Sequence, residues 1–265
     1  KQAYYLSEAD FVYENKDWQE ILTLGRKMGR PILNITDGAV VENEGGTFKY
    51  DDEGVRTQKT PLIENGELTG LMHNRETAYK LNMEPTGNAR AENFRFEPII
   101  RMRNTYLAPG DRTFEELIEE IDYGFYLKSF RGGQANLDGT FQVGIQEAYE
   151  IVKGKLGDPV RSASISGNTL ETLHRVEAVG KDFELWPGRC GKGQTAFICD
   201  GGPHIRVGDV PRQYAGLGGR GINQKPRRSG AGQHQGDQRP DPRCSAGEQQ
   251  RDRRHLARDQ QRAEQ

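Results

Sequence analysis

Residues 62–71 read Leu62-Ile63-Glu64-Asn65-Gly66-Glu67-Leu68-Thr69-Gly70-Leu71, and in them two short apolar runs flank an Asn-Gly pair. Both central residues of a type I′ turn need a positive φ, which Asn and Gly adopt at little energetic cost. Asn-Gly between two apolar runs is the strongest short-range signal for a β-hairpin. This stretch therefore predicts two antiparallel strands.

Further β signals lie on both sides of this stretch. Gly45-Gly46 and Lys153-Gly154 each separate two short runs that are rich in apolar residues. Apolar and polar residues alternate from Phe141 to Ile145, as they do in a half-buried strand. The strands predicted in addition to the first hairpin are residues 31–35, 40–41, 47–50, 141–145, 147–152, 155–161, 183–186 and 195–199.

Three segments have the patterns of helices. Thr113-Phe114-Glu115-Glu116 is a capping box, in which the Thr113 hydroxyl accepts from the third helical amide while Glu116 reaches back to the amide of Thr113. Residues 17–28 and 166–180 each place apolar side chains on one helical face. Several hairpins with few helices indicate an α+β fold that is predominantly antiparallel β-sheet.

Composition divides the chain near residue 210. Residues 211–265 contain no Val, Phe, Trp or Met, and they carry 12 Lys and Arg against 6 Asp and Glu. Such a segment buries too little apolar surface to offset the entropy lost on ordering it. We expect a folded domain over residues 1–210 and an Arg/Gln/Gly-rich tail over residues 211–265 that is disordered or results from a change of reading frame.

Charge, hydropathy and cysteine usage restrict the class of function. The formal net charge is −2, and because the tail is strongly basic, residues 1–210 are acidic. An acidic domain lacks the electrostatic footprint of a nucleic-acid-binding protein, and binding to a polyanion would depend wholly on the tail. No apolar run approaches the ~20 residues that cross a bilayer, so no membrane partner is expected. Three cysteines without C-x-x-C spacing are typical of a reducing compartment.

Cys190 is the strongest candidate for a functional side chain. It lies in the glycine-rich run 188–195 beside two cations, Arg189 and Lys192, which favour the thiolate form that binds zinc. A structural thiol is the alternative. The run does not have the spacing of a phosphate-binding loop, because Gly193 stands where Ser or Thr would follow the lysine.

Two glycine-containing stretches are weaker candidates. Gly132, Gly133 and Gln134 would let the main chain approach a bound peptide closely, and a tight turn explains the same residues equally well. Asp51-Asp52-Glu53-Gly54 lacks the alternating ligands of a calcium-binding loop, so a solvated turn is the preferred interpretation.

Several of these stretches, taken together and in order, resemble the TldD/PmbA family of metallopeptidases, also called the modulator of DNA gyrase family. The resemblance extends over about residues 7–208 and ends near the composition break. Its specificity comes from the order of the motifs, since no single one is decisive. The matching stretches are Tyr50–Gly54, Leu62–Gly66, Pro85–Arg90, Arg101–Tyr106, Tyr123–Tyr126, Gly132–Gln134, Ser166–Asn168, Cys190–Gln194 and Gly201–Pro203.

The resemblance implies the C-terminal domain of a cytoplasmic zinc metallopeptidase that degrades or matures unfolded peptides. In TldD-type subunits, a His-Glu-x-x-x-His motif supplies two zinc-binding His and a Glu that acts as general base, and a distant Cys completes the site. Cys190 matches that Cys. Zinc is therefore the expected cofactor and a peptide the expected substrate. A homo- or hetero-dimer with a TldD/PmbA-type subunit is the expected assembly.

The first residues of the chain depart from the family pattern. Glu8 and Asp10 align with the residues that close the zinc motif, which puts Tyr5 and Lys1 where the family has its second His and its Glu. Neither side chain replaces imidazole or carboxylate there, so no catalytic residue is identified and we expect this chain alone to be inactive. The alternative is a metal-free PmbA/TldE-like partner subunit that shapes the peptide-binding tunnel. Cys190 favours the peptidase, and Tyr5 favours the partner subunit.

Overall fold

A computed structural model of the chain describes residues 7–38, 45–136, 138–161, 163–208 and the backbone of residues 215–217. The described residues form five short helices and fifteen strands. The helices are α1 (Ala9–Glu14), α2 (Lys16–Ile21), α3 (Arg75–Leu81), α4 (Phe114–Ile118) and α5 (Thr169–His174). The strands are β1 (Ile35–Asp37), β2 (Thr60–Glu64), β3 (Glu67–Leu68), β4 (Ala89–Arg90), β5 (Ile99–Ile100), β6 (Asn104–Leu107), β7 (Tyr123–Ala135), β8 (Thr140–Val152), β9 (Lys155–Val160), β10 (Ala163–Asn168), β11 (Val176–Val179), β12 (Glu184–Lys192), β13 (Gln194–Gly202), β14 (Ile205–Val207) and β15 (Ala215–Leu217).

The first sheet has six strands in the order β12-β13-β6-β1-β2-β3. The pairing of β13 with β6 is parallel, and the other pairings of this sheet are antiparallel. The main hydrophobic core combines this sheet with the N-terminal helices, and it includes Val12 of α1, Trp18 of α2 and Ile198 of β13. Strands that are distant in sequence therefore share one core.

The second sheet is antiparallel throughout and is organised around β8. This strand pairs with β7 from Phe141 to Val152, with β10 along its first half and with β9 along its second half. Within the described part of the chain β7 has no other neighbour, so it lies at the edge of the sheet that these residues form. Two further pairs, β4 with β5 and β11 with β14, are also antiparallel. The predicted fold class, predominantly antiparallel sheet with few helices, is confirmed.

Strand β15 lies within the segment that the composition predicts to be a tail. It pairs with β10 between Ala163 and Ile165. The other residues of 211–265 lie outside the described part of the chain. The domain boundary at residue 210 and the disorder of the tail therefore stay predictions.

The hairpin turns are the part of the fold that the local sequence predicts best. Asn65-Gly66 has φ values of 50° and 78° and joins β2 to β3, as the Asn-Gly signal predicts. Lys153-Gly154 has φ values of 50° and 74° and joins β8 to β9. The capping box is also present, because the Glu116 amide donates to the Thr113 hydroxyl at 3.2 Å and the Thr113 amide to the Glu116 carboxylate at 2.7 Å.

The prediction of a helix over residues 166–180 is wrong for most of this segment, because only Thr169–His174 is helical. Strand β10 continues to Asn168, whose side chain caps a helix of only six residues, α5. The chain then leaves the helix because Val176–Val179 pairs with Ile205–Val207 as an antiparallel strand. Hydrogen bonds to a distant strand replace those that a longer helix would make.

The helix predicted over residues 17–28 ends at Ile21, for a similar reason. Beyond it, the Met28 amide donates to the Gly66 carbonyl at 2.7 Å and the Leu68 amide donates to the Arg26 carbonyl at 2.9 Å. The segment is thus bound to the β2–β3 hairpin. The strand predicted at residues 31–35 is displaced to Ile35–Asp37.

Part of the hairpin predicted around Gly45-Gly46 lies in residues 39–44, outside the described residues. None of the helices in the described part of the chain is long and apolar enough to cross a membrane.

Candidate functional site

Cys190 lies near the tip of the β12–β13 hairpin. It is paired with Ala196, and the hairpin closes between Lys192 and Gln194 through Gly193, which has a φ of 69°. The Cys190 side chain is only 3% exposed and belongs to the main core. Because residues alternate across a strand, its neighbour Arg189 faces the opposite side.

Arg101 binds both sides of the hairpin turn. Its guanidinium is fully buried and donates from Nη1 to the Gln194 carbonyl at 2.7 Å and from Nη2 to the Cys190 carbonyl. A guanidinium with several fixed donors suits this task, since two carbonyls can be satisfied at once. The main chain at Cys190 is therefore held by a side chain from the stretch Arg101–Tyr106.

The side chain of Gln194 holds the turn from its flank. Its Nε2 donates to the Glu97 carbonyl at 2.8 Å, and its Oε1 accepts from the Glu92 amide at 2.7 Å. Both partners belong to the connection between β4 and β5. The carboxamide thus fixes the hairpin tip to that connection.

Lys192 joins the hairpin tip to the start of α1. Its Nζ lies 2.7 Å from Glu8 Oε2 and 2.7 Å from Asp10 Oδ2, and it donates to the Ile100 carbonyl at 3.3 Å. Glu8 is fully buried, and this burial raises the pKa of its carboxyl from the ordinary value to about 7 despite the nearby ammonium. Burial by itself would lower the pKa of Lys192, but the two carboxylates raise it above its usual value. The ammonium is therefore charged at neutral pH.

A buried carboxylate, Asp37, organises the strands under the hairpin. It accepts from the side chains of Asn88 at 2.8 Å and Thr105 at 2.7 Å, and from the Arg103 amide at 2.8 Å. The Arg103 guanidinium lies 3.5 Å from it, and burial lowers the pKa of that guanidinium. These partners of Asp37 belong to two stretches that carry the family resemblance, Pro85–Arg90 and Arg101–Tyr106. The two stretches thus stabilise the strands next to the hairpin.

A cavity of about 400 Å³ lies beside the hairpin, and its lining includes Arg189, Ala196 and Phe197. Two arginines stack on aromatic rings at its wall: Arg189 lies 4.7 Å from the centroid of Phe197, and Arg90 lies 4.7 Å from that of Phe48. Cys190 is not among the residues that line the cavity. The cavity therefore does not give direct access to the thiol.

Gly132, Gly133 and Gln134 lie in β7, at the edge of the second sheet. Gly132 has a φ of 67°, and a Cβ on Gly133 would lie 2.7 Å from the Gln142 carbonyl oxygen on β8. Glycine is therefore required at both positions by the irregular pairing of the two strands. These residues and Cys190 belong to different sheets, and their assignment to substrate binding stays a prediction.

The sequence also predicts a solvated turn at Asp51–Gly54. In the structure, the Asp51 carboxylate accepts from the amides of Glu53, Val55 and Ala89, and Gly54 adopts a φ of 74°. The Asp51 side chain is buried and stabilises the turn through these three hydrogen bonds, whereas Asp52 and Gly54 are exposed.

The described residues do not by themselves form a zinc site. Within them, no group of three or more His, Cys, Asp or Glu side chains is placed to hold a metal ion. A catalytic zinc needs three protein ligands, and Cys190 is the one candidate that the sequence supplies. Residues 1–6, which the resemblance aligns with part of the zinc motif, lie outside the described part of the chain.

The roles of Lys192, Glu8 and Asp10 could not be predicted from local patterns. Glu8 and Asp10 stand out in the sequence because they align with the end of the zinc motif, but their partner is more than 180 residues away. The resemblance to the family is the one signal that links these residues. Lys192 lies in the matching stretch Cys190–Gln194, and Glu8 and Asp10 align with the end of the zinc motif.

Comparisons with known proteins agree with these features. Residues 3–211 match the family described as the PmbA/TldA metallopeptidase C-terminal domain. A metalloprotease of Methanothermobacter thermautotrophicus is 46% identical over 205 residues, which are 77% of this chain and 44% of the relative. A zinc metalloprotease TldD homolog of Saccharolobus solfataricus is 42% identical over 205 residues, 77% of this chain and 46% of that protein.

The solved structure of TldE from Thermococcus kodakarensis has the same fold. It superposes with a TM-score of 0.65 at 25% identity, over 77% of this chain and 44% of that one. This chain thus spans somewhat less than half the length of these relatives. With a family match over most of its length and with Cys190 and its supporting residues in the matching stretches, the chain belongs to the TldD/PmbA family of metallopeptidases.

Proposed function

We propose that this chain is the C-terminal domain of a zinc-dependent metallopeptidase that acts on unfolded peptides, with Cys190 as a zinc ligand. The observation that carries the proposal is the placement of Cys190 beside a turn that Arg101, Lys192 and Gln194 hold in place. A ligand on a hairpin needs such support, because metal-binding atoms must be held within about 0.5 Å of their working positions. The names of the relatives, metalloprotease and zinc metalloprotease, agree with this assignment.

The zinc chemistry requires groups that this sequence does not contain. When bound, zinc lowers the pKa of a water molecule and polarises the scissile carbonyl. The first His of this sequence is His73, so residues 1–7 do not contain the Glu and the second His of a His-Glu-x-x-x-His motif. We therefore propose that the chain alone has no peptidase activity and that activity requires a longer protein with that motif.

The second candidate function is that of a metal-free PmbA/TldE-like subunit. Tyr5 in the position of a zinc-binding His favours it, and so does the structural similarity to TldE. Such a subunit would contribute a wall of the peptide-binding tunnel and no catalytic group. Cys190 favours the first candidate, because a subunit without zinc has no need of a ligand there.

The peptide would bind along a strand edge. Among the described residues, β7 has one free edge, and an extended peptide adds to such an edge through main-chain hydrogen bonds that do not depend on sequence. Gly132, Gly133 and Gln134 lie on this strand, and two of them lack a side chain that would keep a peptide away. We assign them to substrate binding on this basis.

The assembly and the location follow from the family. We propose a homo- or hetero-dimer with a TldD/PmbA-type subunit, in the cytoplasm, in which residues 1–210 form the domain and residues 211–265 are an additional tail. No nucleic-acid or membrane partner is expected, because residues 1–210 are acidic and lack a long apolar run.

The test is the zinc content and the peptidase rate of a longer protein that carries the zinc motif, with Glu in place of Lys1 and His in place of Tyr5. Cys190→Ser should remove most of the bound zinc and the activity, since one of three protein ligands is lost. Cys199→Ser is the matched control, because Cys199 is equally buried in the same hairpin and should leave both quantities nearly unchanged.

Full zinc occupancy and normal turnover of the Cys190→Ser protein would exclude Cys190 as a ligand. Absence of zinc from the unmutated longer protein, with activity appearing only after a second subunit is added, would favour the metal-free partner instead.

A further inference from the structure

The tip of the β12–β13 hairpin is held from two directions. Arg101 and Gln194 connect it to residues 92–101, which belong to the same region of the fold as the hairpin. Lys192 connects it to Glu8 and Asp10, at the beginning of α1.

This connection has the properties of a fixed link. Glu8 is fully buried and Asp10 is partly buried, and each has a carboxylate oxygen 2.7 Å from the same ammonium. Replacement of Lys192 by an uncharged residue would leave the two carboxylates near each other without the cation that offsets their charge. The position of the hairpin tip is thus coupled to the position of residues 8 and 10.

We infer that Lys192 is a positioning residue, which sets the place of the Cys190 side chain relative to the segment at residues 7–10. The inference rests on the proposed function in one respect: Cys190 is taken as a metal ligand whose partner ligands precede residue 7. The strand carries the effect directly, because Lys192 and Cys190 are two residues apart on β12 and point to the same face. When Lys192 is replaced, Arg101 and Gln194 still hold the hairpin tip, but the face of β12 that carries Cys190 loses its link to residues 8 and 10.

A purely structural role for Lys192 would have a different consequence. Loss of general stability would expose every buried thiol of the first sheet to the same degree. Cys199 reports on this, because it is fully buried in β13, and its sulfur accepts from the Gly45 amide at 3.3 Å, away from the hairpin tip. The ratio of the reactivities of Cys190 and Cys199 separates the two roles.

The experiment measures the alkylation rate of each buried cysteine in this chain by mass spectrometry, with Cys244→Ser in all samples. Lys192→Met should raise the rate at Cys190 about tenfold or more, equivalent to about 1.4 kcal/mol in the free energy of local opening, and should leave Cys199 within about twofold. Lys192→Arg keeps the charge and should restore a rate close to that of the unmutated chain. Lys155→Met, at an exposed lysine of β9, is the control and should change neither rate.

Two results would overturn the inference: an unchanged rate at Cys190 in folded Lys192→Met, or an equal rise at both cysteines. If Lys192→Met does not fold, the same alkylation rates are measured in Asp10→Asn. This variant removes only the partly exposed ion-pair partner of Lys192 and keeps Glu8. A rise of about threefold confined to Cys190 supports the inference, and no rise refutes it. The measurement needs no metal, so failure of the proposed zinc function leaves it unaffected.

Discussion

Replacing Gly66 by Ala should destabilise the domain by about 2–5 kcal/mol. Gly66 has a φ of 78°, and a left-handed backbone costs an L-residue with a side chain about 1–2 kcal/mol. A Cβ at this position would also lie 2.5 Å from the Arg30 carbonyl oxygen and 2.6 Å from that of Gly29. These are backbone atoms that cannot rotate away, and overpacking of this kind costs about 1–3 kcal/mol more. The measurement is the free energy of unfolding from urea titration followed by circular dichroism.

Gly54→Ala is the matched control for this substitution. Its φ of 74° is almost the same, but a Cβ there would meet nothing within 4 Å. Gly54→Ala should therefore lower the free energy of unfolding by the backbone cost alone, about 1–2 kcal/mol. If the two variants lose the same stability, the contact of Gly66 with residues 29 and 30 does not constrain the fold, and the reasoning is refuted.

Two further predictions concern activity and pH. The chain incubated with zinc and an unstructured peptide should produce no cleavage above the buffer blank, and cleavage that a chelator abolishes would contradict this. Burial lowers the pKa of His73 to about 4, below the ordinary value near 6.5. The unfolded chain therefore binds a proton at His73 more readily than the folded chain does. The contribution of neutral His73 to the free energy of unfolding is fully present above pH 6.5 and is lost as the pH falls towards 4. His73→Gln should reduce the difference in unfolding free energy between pH 7 and pH 5, and an unchanged difference would show that other groups cause it.

The sequence predicts turns well because their cause is local. Asn65-Gly66, Lys153-Gly154 and the capping box at Thr113 each need only the conformational preference of two to four adjacent residues. The helix predicted at residues 166–180 fails because the spacing of its apolar residues suits a strand partner as well as a helical face. That partner, Ile205–Val207, lies about 30 residues further along the chain.

The candidate site was only partly predictable for the same physical reason. Cys190 was found through its glycine-rich surroundings and the family resemblance. The residues that hold it, Arg101 and Lys192, act through contacts that span 89 residues and more than 180 residues of sequence. Fully buried arginines are uncommon, since a buried charge must be paired or hydrogen-bonded, and no local pattern marks Arg101 as one of them.

The order of strands in the first sheet has a consequence for synthesis on the ribosome. Strands β1, β2, β3 and β6 emerge early, but β12 and β13 follow only after strands β7 to β10 of the second sheet have been made. Glu8 and Asp10 therefore leave the ribosome with no cationic partner in place and must wait for about 180 further residues. Contacts between such distant parts of a chain form slowly, because a long loop must close before they contribute. The ion pairs that join the hairpin to α1 can therefore form only after β12 has been synthesised.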